Sequence, residues 1–140
     1  MTVLAGIEDV KRVLKESKHI AVLGAHPKET KAAHYVPRYL KLNEYEIYPV
    51  NPVYKDEVLF NRKTVSSLAE LKHPIDVVEI FRRSEHLESH ISEILAMTPL
   101  PKVVWFQLGI RNEKVANQLS DAGIDVIQDR CMLADHQYHL

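Results

Sequence analysis

Hydrophobic and polar positions along this chain form two kinds of pattern, which alternate with each other. Near the start, apolar residues recur at helical spacing and predict an amphipathic helix; they are Ile7, Val10, Val13 and Leu14. The run Ile20 to Leu23 is apolar throughout, which predicts a strand covered on both faces. A second helical stripe begins near Ala33. The run Glu46 to Val50 predicts the next strand, which Pro49 and Pro52 are expected to end.

The second helical stripe contains a proline. Its inner face carries Val36, Tyr39 and Leu40. We expect Pro37 in the first turn of this helix, because backbone N–H groups in that turn have no partner within the helix. After the second strand, two short pieces at a sheet edge are expected over Val58 to Phe60 and Lys63 to Val65. Ser67 and Glu70 have the spacing of a capping box, which predicts a short helix.

The second half of the chain repeats the alternation more clearly. Ser84 and Asn112 are each expected to cap a helix, because each precedes an apolar stripe. The inner faces of these helices are Leu87, Ile91, Ile94 and Leu95, and then Val115, Ala116 and Leu119. Strands are predicted over Ile75 to Phe81, Lys102 to Phe106 and Ile124 to Ile127.

The whole pattern predicts the α/β class. We expect a Rossmann-like, doubly wound, mostly parallel sheet of five to six strands with helices on both faces. A chain of 140 residues without an evident linker is expected to form a single domain over residues 1–140.

Composition narrows the classes of partner and compartment. The chain has 18 Lys and Arg against 19 Asp and Glu, and this net charge of -1 does not favour nucleic acid. No apolar run approaches the ~18 residues that a membrane span needs. Residues 1–18 lack the apolar core of a signal peptide, and the single cysteine, Cys131, excludes an intrachain disulfide. We therefore expect a cytoplasmic protein that binds neither nucleic acid nor membrane.

The expected ligand site lies beyond the carboxyl ends of the strands, where the strand order reverses. The first strand runs into Gly24 and a polar loop before a helix, an order that places phosphate at a helix N-terminus. Backbone N–H groups near Gly24 are expected to face a diphosphate. Cations at the strand ends are Lys28, Lys31, Lys55, Arg82 and Arg83, and apolar surfaces for a base are Pro52, Phe81 and Phe106.

The end of the second strand argues against NAD. NAD-binding domains usually have Asp or Glu there to hold the ribose hydroxyls, whereas this chain has Asn51 followed by Pro52. The sequence therefore indicates a nucleotide fold whose ligand is not NAD.

Candidate catalytic and metal-binding residues are few. Arg130 beside Cys131 favours a thiolate, although a buried and inert cysteine is the expected state. His86 and His90 lie four residues apart without a third ligand, so no metal site is predicted. Trp105 is expected in the core rather than at a ligand. No nucleophile, base and orienting carboxylate stand in a recognisable arrangement, so the chain is not expected to be an enzyme by itself.

Several short motifs occur in an order that is typical of one protein family. They are Ile20 to Gly24, Val36 to Leu40, Tyr48 to Pro52, Asp76 to Arg82, Val104 to Ile110 and Asp129 to Met132. In these motifs, the chain resembles the family of stand-alone CoA-binding domains, small proteins similar to the N-terminal domain of the succinyl-CoA synthetase alpha subunit. The resemblance implies a Rossmann-like fold that binds coenzyme A (CoA) or an acyl-CoA.

The resemblance also implies where CoA would bind. Gly24, Ala25 and His26 would lie at the CoA diphosphate, and Val50 and Pro52 would contact the adenosine. The neutral Asn51 suits the 3′-phosphate of CoA, which an acidic residue would repel. Two further binding residues would be Lys28, in the loop after the first strand, and Asn51, at the end of the second strand.

The remaining implied contacts lie farther along the chain. Lys55 falls where the synthetase domain places a lysine for a CoA phosphate. Phe81 and Arg82 would lie on the next loop, and Gln107 would lie near the pantetheine. The first loop is bulkier here than the glycine-rich loop of the synthetase domain.

The leading hypothesis is a non-catalytic CoA carrier or sensor. One alternative is an enzyme that uses CoA or another nucleotide and needs a partner subunit for its catalytic groups. Another is an NAD(P)-binding module, against which the missing GxGxxG counts. A third is a regulatory module with a vestigial cleft. The choice between free CoA and acyl-CoA, and between a homo-oligomer and a partner enzyme, stays open.

Overall fold

The structure is a computed structural model that describes residues 3–4 and 6–140. The predicted domain, 1–140, includes residues 1, 2 and 5, which lie outside the described part. The first elements are β1 (Val3–Leu4), α1 (Ile7–Glu16), β2 (His19–Leu23), α2 (Ala32–Leu42) and β3 (Glu46–Val50). A hairpin of β4 (Val58–Leu59) and β5 (Arg62–Lys63) follows. The later elements are β6 (Val77–Ile80), α3 (Ile91–Leu95), β7 (Val103–Phe106), α4 (Glu113–Asp121), β8 (Asp125–Ile127) and α5 (Met132–His139).

Within the described residues, six strands form one sheet in the order β1-β8-β7-β6-β2-β3, and every pairing is parallel. From β2 the chain adds β3 on one side and later β6 on the other, so the strand order reverses between β2 and β6. The predicted Rossmann-like sheet is confirmed. The two pieces predicted at its edge instead pair with each other in the hairpin, and only Val65 forms a bridge to Val50 among the described residues.

Helices cover both faces of this sheet. Val22 and Trp105 belong to the layer under α1, α2 and α5, whereas Leu23 and Phe106 belong to the layer under α3 and α4. Neighbouring residues of one strand thus enter opposite cores, as the pleat of a strand requires. In the described part of the chain, no helix is both long and apolar enough to cross a membrane.

Two of the predicted caps are present and one is absent. The side chain of Asn112 accepts the Val115 N–H at 3.1 Å, and the Glu70 carboxylate accepts the Ser67 N–H at 3.0 Å. Ser84 caps no helix, because its hydroxyl accepts the Arg111 N–H at 3.0 Å. The segment Ser84–His90 is a 3₁₀ helix, whose tighter turn rotates the apolar stripe. Leu95, predicted on the inner face, is consequently 39% exposed.

Pro37, expected in the first turn of a helix, and Pro49, expected to end a strand, both lie in the interior of an element. Pro37 is the sixth residue of α2, beyond the first turn, and the N–H it lacks would have bonded the Ala33 carbonyl. That carbonyl instead accepts the His26 N–H at 3.3 Å. Pro49 lies within β3, which is an edge strand, so its missing N–H breaks no bond of the main sheet. The proline of α2 therefore leaves the Ala33 carbonyl free to accept a hydrogen bond from the loop after β2.

Candidate functional site

A cavity of about 600 Å³ opens at the carboxyl ends of β2, β6 and β7. It lies where the strand order reverses, the position at which open α/β sheets bind ligands. Its size is that of a typical small-molecule site. The residues around it are Gly24, His26, Lys31, Ala32, Ala33, Asn51, Phe81, Arg82, Arg83, Ser84, Glu85, Gln107, Leu108, Gly109 and Ile110.

Gly24 forms the turn that ends β2 at the floor of this cavity. Its φ of +96° lies in the region that side chains disfavour, and a Cβ there would sit 2.9 Å from the Phe81 carbonyl oxygen. The same Cβ would lie 3.4 Å from Cδ of Arg82. Glycine is therefore required for the close approach of β2 and β6, whether or not a ligand binds.

Hydrogen bonds within the protein hold the loop after β2. The Gly24 N–H donates to the Val50 carbonyl at 2.8 Å, and the His26 N–H donates to Ala33. The Asn51 side-chain amide donates to the Ala25 carbonyl at 2.9 Å. Of the N–H groups near Gly24, those of Gly24 and His26 therefore have partners within the protein, whereas that of Ala25 has no acceptor among the described residues and stays open for the expected diphosphate.

Two further open N–H groups belong to the first turn of α2. Its N-cap, Lys31, gives no side-chain hydrogen bond, and this turn holds no acidic residue. Among the described residues, the N–H groups of Ala32 and Ala33 have no acceptor. Both alanines border the cavity, and their small side chains leave the backbone accessible. The positive end of the helix dipole and two open donors make this turn an anion-binding position.

Two arginines without a carboxylate partner among the described residues border the same cavity as this turn. All seven arginines lie in the described residues, and five of them are within 4.0 Å of a carboxylate. The two others are Arg82 and Arg83, and both border the cavity. The Nε atom of Arg82 is buried without any hydrogen-bond partner among the described residues. The positive charge of this cavity is therefore not neutralised by ion pairs within the protein.

The acidic residue of β6, Glu79, does not offset that positive charge. Glu79 lies fully buried two residues before Phe81, and burial raises its pKa to about 8. At neutral pH this carboxyl is mostly protonated. The one acidic residue around the cavity, within the part of the chain that the structure describes, is the exposed Glu85.

The structure brings six of the residues proposed from the sequence to this cavity. They are Gly24, His26, Asn51, Phe81, Arg82 and Gln107. Ala25 and Val50 have fully buried side chains, which leaves only their backbone for contact with a ligand. Lys28, Pro52 and Lys55 are exposed and do not border the cavity. The Lys55 charge instead acts on the Glu70 carboxylate, whose pKa is lowered mainly by a hydrogen bond from Ser66.

The two aromatic residues of β7 are both in the core. Trp105 is fully buried as predicted, and its Nε1 donates to the Arg130 carbonyl at 2.8 Å. Phe106 was expected to offer a surface for a base, and that expectation is wrong because Phe106 is also fully buried. Phe81 is the aromatic side chain that borders the cavity.

Sequence reasoning expected phosphate at a helix N-terminus but named neither Ala32 nor Ala33, the two residues of the first turn of α2 that border the cavity. The signal for the first turn was present, since the helix was expected to begin one residue after its observed start, Ala32. The open N–H groups follow directly from that start.

Groups that could catalyse a reaction are engaged in structural bonds. The Ser84 hydroxyl accepts the Arg111 N–H, and Nδ1 of His26 accepts the Lys28 N–H at 3.0 Å. Cys131 is half-buried at the start of α5 and outside the cavity. Within the described residues, no three His, Cys, Asp or Glu side chains come together as a metal site.

Comparison with known proteins agrees with this geometry. Residues 18–137 match the family described as a CoA binding domain. The uncharacterized protein YneT of Bacillus subtilis (strain 168) is 41% identical over 128 residues, which cover 91% of this chain and 92% of that protein.

Solved structures share the fold over nearly the whole chain. The structure of cell-free ID.343 from Thermus thermophilus has a TM-score of 0.90 and 41% identity, covering 95% of this chain and 98% of that one. A hypothetical protein from Pyrococcus horikoshii OT3 has a TM-score of 0.86 and 31% identity, covering 95% of this chain and 91% of that one. By its sequence match and its fold, this chain belongs to the family of CoA-binding domains.

Proposed function

We propose that this protein binds CoA or an acyl-CoA in the cavity at the ends of β2, β6 and β7, as a carrier or sensor rather than as an enzyme. One observation carries the proposal. The two arginines without carboxylate partners, Arg82 and Arg83, border the same cavity as the uncapped first turn of α2. Open donors and unpaired cations around one cavity suit a ligand with several phosphate groups.

The end of β3 favours CoA over NAD. Asn51 occupies the position at which an acidic residue would hold the ribose of NAD. Its side chain instead forms a hydrogen bond to the loop after β2. The 3′-phosphate of CoA adds negative charge close to the ribose. A neutral residue at this position is compatible with that phosphate, whereas a carboxylate would repel it.

A binding role without catalysis is supported by the state of the reactive groups. Ser84 and His26, the hydroxyl and imidazole of the cavity, are hydrogen-bonded to backbone N–H groups and not to each other. No nucleophile–base pair is assembled around the cavity in the described residues. Turnover of an acyl-CoA by the isolated protein would instead favour an enzymatic role.

Thermal unfolding with a panel of ligands tests the proposal. The melting temperature is measured with CoA, acetyl-CoA, NAD, NADP and ATP, each at the same concentration. A ligand at a hundredfold excess over its Kd stabilises the folded state by about 2.7 kcal/mol. We expect a rise with the CoA species and little with NAD or NADP. A rise with NAD alone contradicts the proposal, and no rise with any ligand favours a vestigial cleft.

A pair of arginine variants locates the site. Arg83→Gln removes a cavity charge, and Arg38→Gln removes a charge of α2 that is paired with Glu29 at 3.8 Å outside the cavity. A charge-assisted contact is worth about 1.5–3 kcal/mol, so Arg83→Gln is expected to weaken CoA binding roughly 10- to 100-fold. Arg38→Gln is expected to leave the Kd unchanged. Equal effects of the two variants would place the ligand elsewhere.

A further inference from the structure

The loop after β2 and the 3₁₀ helix after β3 meet through one imidazole. Nδ1 of His26 accepts the backbone N–H of Lys28 at 3.0 Å. Nε2 of the same ring lies 3.0 Å from the hydroxyl of Tyr54, and the two rings meet edge to face at 4.9 Å. Tyr54 is the last residue of the 3₁₀ helix Pro52–Tyr54. The pair therefore connects the carboxyl ends of β2 and β3 beside the cavity.

These contacts determine which ring nitrogen carries the proton. A backbone N–H only donates, so Nδ1 of His26 has to accept and carries no hydrogen. A neutral imidazole then has its hydrogen on Nε2. We therefore assign the Nε2–H form to His26, with Nε2 donating to the Tyr54 oxygen.

The assignment leaves the Tyr54 hydroxyl with a hydrogen to donate. Its oxygen accepts from His26, and among the described residues it has no other hydrogen-bond partner. Tyr54 is half-buried, and its hydroxyl is one hydrogen bond from a ring that borders the cavity. The position and direction of this donor are fixed by His26, which is in turn fixed by the Lys28 N–H.

We propose that Tyr54 is a ligand-binding residue and that His26 is the residue that positions it. The Tyr54 hydroxyl donates to an oxygen of the nucleotide half of the ligand, a phosphate or ribose oxygen, because it lies at the end of β3 beside Asn51. This inference rests on the proposed function and adds to it a donor for the nucleotide half.

Tyrosine variants test the contact. Tyr54→Phe keeps the ring and removes the hydroxyl. Tyr35→Phe removes a hydroxyl that, unlike that of Tyr54, is not hydrogen-bonded to a described residue bordering the cavity, from a tyrosine that is 47% exposed. The Kd values of CoA and of ADP are measured by calorimetry. Loss of one hydrogen bond corresponds to roughly 2- to 12-fold. We expect Tyr54→Phe to raise both Kd values by such a factor and Tyr35→Phe to raise neither.

The outcomes separate this inference from the proposed function. If the unmodified protein binds no CoA, the proposed function fails. If it binds CoA and Tyr54→Phe binds equally well, the proposed function stands and this inference is wrong. A loss for CoA without a loss for ADP also overturns it, since the contact would then lie outside the nucleotide half.

The role of His26 has a spectroscopic test that does not depend on ligand binding. Long-range ¹H–¹⁵N correlation spectra distinguish a protonated from an unprotonated ring nitrogen. We expect Nδ1 of His26 to be unprotonated and Nε2 to be protonated. The opposite form would contradict the assignment and remove the reason for a free donor on Tyr54.

Discussion

Among single residues, Glu79 departs most from the rule that buried polar groups have partners. It lies on the central strand β6 between Val22 and Trp105, is fully buried, and neither carboxyl oxygen has a hydrogen-bond partner among the described residues. Burial raises its pKa from 4.5 to about 8, because an unpaired carboxylate is poorly solvated in this core. The protein therefore folds with a mostly neutral carboxyl in its centre.

Glu79→Gln is expected to change how stability depends on pH. Between pH 4.5 and about 8 the folded protein holds a proton that the unfolded chain releases, so stability falls as pH rises through this range and levels off above it. The slope is at most about 1.4 kcal/mol per pH unit. Glutamine has the same shape and does not titrate. Urea unfolding of both proteins from pH 5 to 9 is expected to show a stability difference that grows in favour of the variant. Parallel curves contradict this expectation.

The amide side chain of Asn51 forms two hydrogen bonds, one as donor and one as acceptor. Its Nδ2 donates to the Ala25 carbonyl and its Oδ1 accepts the Val53 N–H at 3.0 Å. Asn51→Asp replaces the donor with an oxygen that faces a carbonyl oxygen, so we expect a loss of about 1–3 kcal/mol of stability by urea unfolding. The matched control is Asn43→Asp, which removes an exposed bond to the Tyr39 carbonyl at 2.8 Å. Equal losses in the two variants would mean that the bond to Ala25 has no special importance.

Among the elements, α2 couples its own geometry to the loop that precedes it. Pro37 leaves the Ala33 carbonyl open, and that carbonyl accepts the His26 N–H. Pro37→Ala supplies a competing N–H within the helix. We expect faster amide hydrogen exchange at His26 and weaker CoA binding. The Gly24 amide, bonded to Val50, serves as an internal control and is expected to exchange as before. Unchanged exchange at His26 would show that the helix does not hold the loop.

The strands and helices differ in how far the sequence predicts them. The strands β2, β6 and β7 were predictable because short apolar runs are typical of a sheet covered on both faces. For the same reason the sequence did not predict that Phe106 is buried, since both faces of such a strand are apolar. Ser84 precedes an apolar stripe as a cap would, yet its hydroxyl bonds to Arg111, a long-range contact that no local pattern reveals.

The candidate site was predictable to a similar extent. Gly24 and Arg82 could be placed at the cavity because strand ends meet at one edge of a parallel sheet. Lys55 could not, because it follows the 3₁₀ helix Pro52–Tyr54 and its exposed side chain does not border the cavity. The contact between His26 and Tyr54 joins two loops whose relative position depends on the whole fold.

At the scale of the whole molecule, the fold maintains unpaired charge at one cavity although the net charge is only -1. Arg82 carries the clearest sign of this arrangement, because its buried Nε lacks a partner among the described residues and its Cδ lies over Gly24. A buried donor without a partner lowers stability. Proteins commonly tolerate such a loss at sites that bind a ligand. Removing the guanidinium while keeping the side-chain length should therefore stabilise the protein without ligand and weaken its binding of CoA.

Arg82→Met and Arg130→Met test this directly, because the two arginines differ in their partners. Arg130 pairs with the buried Asp135 through two bonds of 2.7 and 2.8 Å, and its loss leaves this buried carboxylate with His139, at 3.8 Å, as its remaining ion-pair partner among the described residues. We expect Arg130→Met to lower the melting temperature. Arg82→Met is expected to stabilise the protein by about 1 kcal/mol, which raises the melting temperature by roughly 3–5 °C for a chain of this size. The same variant is expected to lose most of the shift in melting temperature that CoA causes. If both variants melt earlier, Arg82 stabilises the fold, and its open donors are not reserved for a ligand.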